Sequence, residues 1–196
     1  MRLITTTLLF FLSPLISAQT PPGFTPSTDS PLLLTFGTKS LTTPGTNLTK
    51  SESSVRPTIG TASTLPQNNT YIYLMIDVDV PFNFQNPAAG GPRRTNLHAL
   101  ITGYKPSATA NSQGIYELTS TSTGPIAYIG PGPPPETPLY AHKYVNLLFE
   151  TEEGLDITRA QVGQTFGFDI NVFLANVKGI GPLVAGNWIE VAGQWN

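Results

Sequence analysis

Tyr71-Ile72-Tyr73-Leu74-Met75-Ile76-Asp77-Val78-Asp79-Val80-Pro81 is the stretch that decides how this chain folds. Its first six residues are uncharged aromatic, aliphatic and β-branched side chains, which reads as a strand buried on both faces; two carboxylates and a proline close it. Side chains alternate along extended backbone, so Asp77 and Asp79 are expected to leave the strand end on the same side. Like charges that close raise one another's pKa unless a cation, a hydrogen-bond donor or water relieves them. The chain offers two histidines, His98 and His142, each at the edge of another apolar run. The two acids are either part of a site or strand-end residues forming an Asx-type turn before Pro81.

Outward from this strand, Pro31 to Phe36 reads as a first strand closed by Gly37, with a turn at Thr43-Pro44-Gly45 and a solvated connection over 46–54. Val55 to Ile59 is a short extended piece whose Pro57 places it at an edge. Downstream, Phe82 to Arg94 mixes aromatic residues, turn formers and a basic pair, a rim loop over the carboxylates. Arg93 and Arg94 either contact an anion or are simply solvated. Leu97 to Tyr104 and Tyr140 to Phe149 are strands with His98 and His142 at their entries, and Ile115 to Leu118 is a shorter one. Between them, Tyr128 to Pro135 holds four prolines and two glycines, which makes a rigid loop. Ile170, Phe173, Leu174 and Val177 form one helical face with Asp169 as N-cap and Gly179 as stop, before a final strand ending at Val191.

At 196 residues, 39% hydrophobic and 11% charged, the chain suits one well-packed domain, and 19 prolines and 18 glycines suit an all-β protein. Met1-Arg2, an apolar run from Leu3 to Leu12 and the exit Ser17-Ala18-Gln19 form a secretory signal over residues 1–18, followed by an extended, proline-rich arm over 19–29 and the domain over 30–196. The expected address is extracellular, with no transmembrane segment after signal removal. Without Arg2, nine basic residues face twelve acidic ones, so nothing draws the chain to nucleic acid or anionic membranes, and any phosphate contact must be local. There is no cysteine to form a disulfide, while Asn47-Leu48-Thr49 and Asn68-Asn69-Thr70 match the N-glycosylation pattern.

Taken in order, Asp77-Val78-Asp79-Val80-Pro81, Leu97-His98, Gly132-Pro133-Pro134 and His142-Lys143-Tyr144-Val145 resemble the phosphatidylethanolamine-binding protein family, whose pattern is D-P-D-A-P, a histidine on the next strand, G-P-P and H-R-Y-V. Pro182 to Trp188 is similar to the family's ending, and the likeness spans about residues 24–195. The resemblance implies a large antiparallel sheet packed on a smaller one, with short helices near the C-terminal end. It implies a pocket for small anions such as phosphoryl headgroups, formed by Asp77, Asp79, Pro81, His98, Gly132, Pro133, His142 and Tyr144, and a cis bond before Pro81. Val78, Lys143, about two extra residues between Pro134 and His142, and Asn96 or Ala99 in place of an aromatic residue beside the histidine depart from the pattern, and the lost aromatic wall implies a wider pocket or a different headgroup.

Three functions follow. One is a secreted, non-enzymatic binder of phosphoryl headgroups, needing no cofactor or metal. Another is a protein-interaction module, since family relatives inhibit a carboxypeptidase or regulate kinases, and secretion leaves an extracellular peptidase as partner. The last is an enzyme or metal site using Asp77, Asp79, His98 and His142. It is disfavoured because H-E-x-x-H, G-x-S-x-G, P-loop and cysteine-nucleophile patterns are all missing.

Overall fold

The structure, a computed structural model, describes residues 18–87 and 90–193; residues 1–17, which carry most of the expected secretory signal, lie outside them. The strands are β1 (Leu33–Phe36), β2 (Lys39–Leu41), β3 (Thr46–Leu48), β4 (Thr58–Thr61), β5 (Thr70–Pro81), β6 (Arg93–Pro106), β7 (Tyr116–Thr119), β8 (Pro125–Ile126), β9 (Ala141–Thr151) and β10 (Ile180–Ala192). Two short helices, α1 (Arg159–Val162) and α2 (Ile170–Asn176), precede β10.

The strands are hydrogen-bonded along one path, β2-β1-β4-β7-β6-β5-β9-β10-β3, with β8 beside β6. Most of β6 pairs with β5, while its end at Lys105 and Pro106 pairs with β7, so one long strand carries the chain from a larger sheet into a smaller one. This is the expected architecture, and β5 is its middle. Tyr71, Tyr73 and Met75 pack toward Leu34, Ile59 and Leu118 of the smaller sheet. Ile72, Leu74 and Ile76 face the opposite way, toward Phe168, Ile170 and Phe173 around α2. Burying each such side chain stabilises the fold by about 1.5–3 kcal/mol, and β5 does so on both faces.

Helix α2 follows its sequence signals: its N-terminus is capped by Asp169, which accepts from the backbone of Asn171 and Val172, and the chain leaves through Gly179 at φ 84°. The expected turn at Thr43-Pro44-Gly45 also forms. Gly45 has φ 77°, and a Cβ there would stand 2.9 Å from the Trp188 ring.

Several expectations are corrected. Thr46–Leu48 is a strand paired in parallel with β10, not a solvated connection, because the exposed edge of β10 supplies partners that three residues of local sequence do not announce. Arg93 and Arg94 begin β6 rather than closing the rim loop. The segment 19–29 is no free arm: Gln19 and Thr20 are buried, the Gln19 amide donates to the Thr28 carbonyl, and Phe24 packs against the α2-side core. The cis X-Pro bonds of the described residues precede Pro26, Pro125 and Pro138, so the bond before Pro81 is trans.

Within the core the Tyr73 hydroxyl donates to Asn146 Oδ1 at 2.6 Å, and Asn146 Nδ2 donates to the Tyr144 carbonyl at 2.9 Å. Tyr73→Phe leaves a buried amide oxygen without its donor, an expected cost of about 1–3 kcal/mol. Urea unfolding should show a lower midpoint with an unchanged m-value.

Candidate functional site

Two irregularities in the β5–β6 register build the site. Met75 pairs with Ala99 and Ile76 with Leu97, so His98 is the extra residue of a bulge, a device that re-aims a side chain. Ile129 holds it there: its amide donates to the His98 carbonyl at 2.9 Å, and His98 Nδ1 donates to the Ile129 carbonyl at 3.0 Å. A second shift falls between Asp77 and Val80, where Asp77 Oδ1 accepts from the Asp79 amide at 2.8 Å. The Asx-type turn and the site are therefore the same feature. Asp77 faces His142 across the sheet, whereas Asp79 accepts from the Lys143 amide at 2.8 Å and from the Tyr140 hydroxyl at 3.1 Å, with Lys143 Nζ at 3.4 Å.

His142 stands between two carboxylates. Nδ1 lies 2.9 Å from Asp77 Oδ2 and Nε2 lies 3.0 Å from Glu136 Oε1, and donating to both requires a proton on each nitrogen. Burial opposes that charge more than any other single influence, but the hydrogen bonds and charges of Asp77 and Glu136 together outweigh it and raise the His142 pKa. Glu136 is itself gripped by Arg93 through two bonds of 2.7 Å, and that pairing, against the cost of burial, lowers its pKa. The Arg93 guanidinium also donates to the Asp79 carbonyl at 2.9 Å and lies 4.3 Å from the centre of the Tyr140 ring. The His98 pKa moves the other way: burial lowers it, despite the Ile129 carbonyl and the Asp77 charge.

Of these residues, Asp77, His98, Ile129 and His142 border a cavity of about 230 Å³, whereas Glu136 and Arg93 do not line it. Of the residues expected at a site, Asp77, His98, Gly132, Pro133, His142 and Tyr144 line it; Asp79 and Pro81 do not, and serve instead to hold β9 and β6. The Tyr144 hydroxyl is buried with no hydrogen bond of normal geometry. Burial first, and the Asp77 charge second, push its pKa well above the usual phenol range, so it remains an O–H donor. The aromatic walls missing beside His98 are supplied from elsewhere, by Phe84 of the loop after β5 and Phe166 of the segment before α2, whose rings lie 5.8 Å apart.

A family model described as phosphatidylethanolamine-binding protein matches residues 38–185. The chain belongs to the phosphatidylethanolamine-binding protein family. Its relatives include the phomoidride biosynthesis cluster protein N of Talaromyces stipitatus, 29% identical over 89% of this chain and 90% of that protein. Among solved structures, carboxypeptidase Y inhibitor in complex with its cognate proteinase shares the fold with a TM-score of 0.62 at 16% identity, over 86% of this chain and 85% of that one. The phosphatidylethanolamine-binding protein of Plasmodium vivax does so with a TM-score of 0.57 at 20% identity, over 83% and 85%.

Sequence reading missed Glu136, the buried partner role of Arg93, and the walls Phe84 and Phe166. Glu136 is the one acid between Glu117 and Glu150, yet a lone acid in a proline-rich loop carries no periodic signal; only the folded loop brings it to His142.

Because the chain has only two histidines, imidazole NMR should resolve one titrating above the ordinary value near 6.5 and one below it. Asp77→Asn should lower the higher one. By linkage, the His142 contribution to stability is fully present below the unfolded pKa and is lost as pH rises through the raised one; that of His98 is lost as pH falls through the lowered one. Arg93→Gln removes one of the two cations bonded to Glu136, leaving His142, and should cost about 1.5–3 kcal/mol, read by chemical denaturation.

Proposed function

We propose that this protein is a secreted, non-catalytic binding protein whose cavity takes a small ligand with an anionic head, a phosphoryl headgroup of the phosphatidylethanolamine type. The observation that carries this reading is the Tyr144 hydroxyl, a buried O–H on the wall of the cavity that lies close to Asp77 and the Gly132 backbone but is held by no hydrogen bond of normal geometry. A ligand oxygen placed in the cavity can accept this O–H with better geometry than its present neighbours offer. His98 adds to this: with Nδ1 committed to Ile129, its Nε2 has no hydrogen bond among the described residues and becomes a second donor on protonation. Val80, Phe84, Pro133 and Phe166 suit the apolar part of such a ligand. A carboxylic acid would present the same head, and one relative is named for a biosynthesis cluster, so a small biosynthetic acid is the other source of this chemistry. Asp77 and Glu136 are both bonded to His142, which favours a holding role over acid–base work.

Export rests on the N-terminal pattern of the sequence, and the acceptor residues Asn47 and Asn68 are exposed, as glycosylation needs. No helix among the described residues is long and apolar enough to cross a membrane.

A second reading, a peptidase-inhibiting interaction module, is favoured by one patch. Phe82, Phe84 and Phe166 are about half exposed and surround the Arg94 guanidinium, 4.4–5.5 Å from their ring centres. Aromatic residues around an arginine are the composition of interface anchors.

At about 100 times its Kd, phosphorylethanolamine or a short carboxylic acid should raise Tm by about 5–10 °C, more strongly at acid pH where His98 accepts a proton. Tyr144→Phe and Asp77→Asn should abolish most of the shift. Inhibition of a serine carboxypeptidase that survives both substitutions and is lost in Phe82→Ser/Phe84→Ser would instead establish the second reading.

A further inference from the structure

Building on the anion-cavity reading, we infer that Arg94 is a second anion-binding group, at the rim of the cavity. The ligand class is then molecules with two acidic groups, one held inside the cavity and the other outside it on the Arg94 guanidinium.

The placement of Arg94 follows from strand geometry. It lies on the same face of β6 as Asn96, two residues along, and pairs across to Val80 of β5. Phe166 is bridged to Asn96. Val80, Asn96, Phe84 and Phe166 all line the cavity, and the ring centres of Phe84 and Phe166 lie 5.5 and 4.4 Å from the Arg94 guanidinium carbon. Arg94 itself borders the adjoining groove beside Gly167 and Phe168, so the two rings stand between its charge and the cavity.

The other cations at this end of the sheet have carboxylate partners: Arg93 meets Glu136, His142 meets Asp77 and Glu136, and Lys143 meets Asp79. Arg94 has neither an ion pair nor a hydrogen bond among the described residues, and its Nε is buried without an acceptor. Contact with Phe82, Phe84 and Phe166 holds the side chain in place, but ring faces attract the charge and offer its N–H groups only weak acceptors. A guanidinium presents a planar fork of donors that matches a carboxylate or phosphoryl group. Here the fork is half-buried and already ordered, so an anion meets less screening by water and a smaller ordering cost than at an open surface. Asp169 borders the same groove, with its Oδ1 committed to the Asn171 and Val172 amides. Tyr144 and His98 serve the acidic group inside the cavity, and Phe84 and Phe166 suit an apolar spacer between the two acids.

The test compares straight-chain diacids from succinate to suberate with their monomethyl esters, which keep the length and remove one charge. Binding to the mature chain is measured by calorimetry from about pH 6 to about pH 7.5, where carboxyl groups are largely ionised. At the best-fitting length the diacid should bind roughly tenfold or more tightly than its ester, the scale of one charge-assisted pair. Arg94→Gln should bring that ratio close to one, and Arg94→Lys, which keeps the charge but loses the fork, should retain part of it. In nitrogen-resolved NMR, the Arg94 Nε–H resonance, identified by its loss in Arg94→Lys, should move on addition of the diacid. Esters that bind as tightly as the diacids at every length overturn the inference while leaving the anion cavity standing, and this arm needs no variant to fold. An unchanged ratio in folded Arg94→Gln, or an Arg94 resonance that stays still at saturation, also overturns it. If neither series binds, the anion-cavity reading fails, and this inference with it.

Discussion

The hydrogen bonds on the two nitrogens of His142 tie the site together. Asp77 lies near the end of the most buried strand, Glu136 belongs to the proline-rich loop, and Arg93 opens β6; the histidine on β9 is the group through which all three are joined. A buried carboxylate without a counter-charge is strongly disfavoured, so each member holds the others in place. The result is a cluster, joined to the cavity through Asp77 and His142, in which charges cancel.

That cancellation changes how the site is to be understood. An imidazolium in a cavity suggests an anion receptor, yet here its second N–H is taken by the protein's own carboxylate. The cavity wall otherwise presents a neutral hydroxyl, one histidine whose pKa is lowered by burial, Asn96, and aromatic and proline surface.

The exposed phenylalanines beside the cavity share their arginine with no carboxylate among the described residues. Arg94 instead lies over three rings, an arrangement that keeps a charge near the mouth while presenting apolar surface. The same long loop that supplies Phe82 to the patch supplies Phe84 to the cavity wall, so the patch and the cavity share one segment.

Much of this was legible in the chain itself. The run from Tyr71 to Ile76 is apolar at every position, and a strand that is apolar at every position has to be covered on both faces, which sets a two-sided core. The cap at Asp169, the glycine exit and the order of Asp77, His98, Gly132-Pro133 and His142 are likewise local or ordered signals, and they named the family and part of the cavity wall. Tertiary structure alone decided the rest. The parallel pairing of Thr46–Leu48 depends on the edge of β10, and the burial of Gln19 and Thr20 depends on a surface distant in sequence. Glu136 lies six residues from His142, but reaches it only because the intervening chain turns back, and Arg93 meets Glu136 across 43 residues. Periodicity reports which face a residue occupies; it does not report which distant charge will share that face. That choice is made by packing.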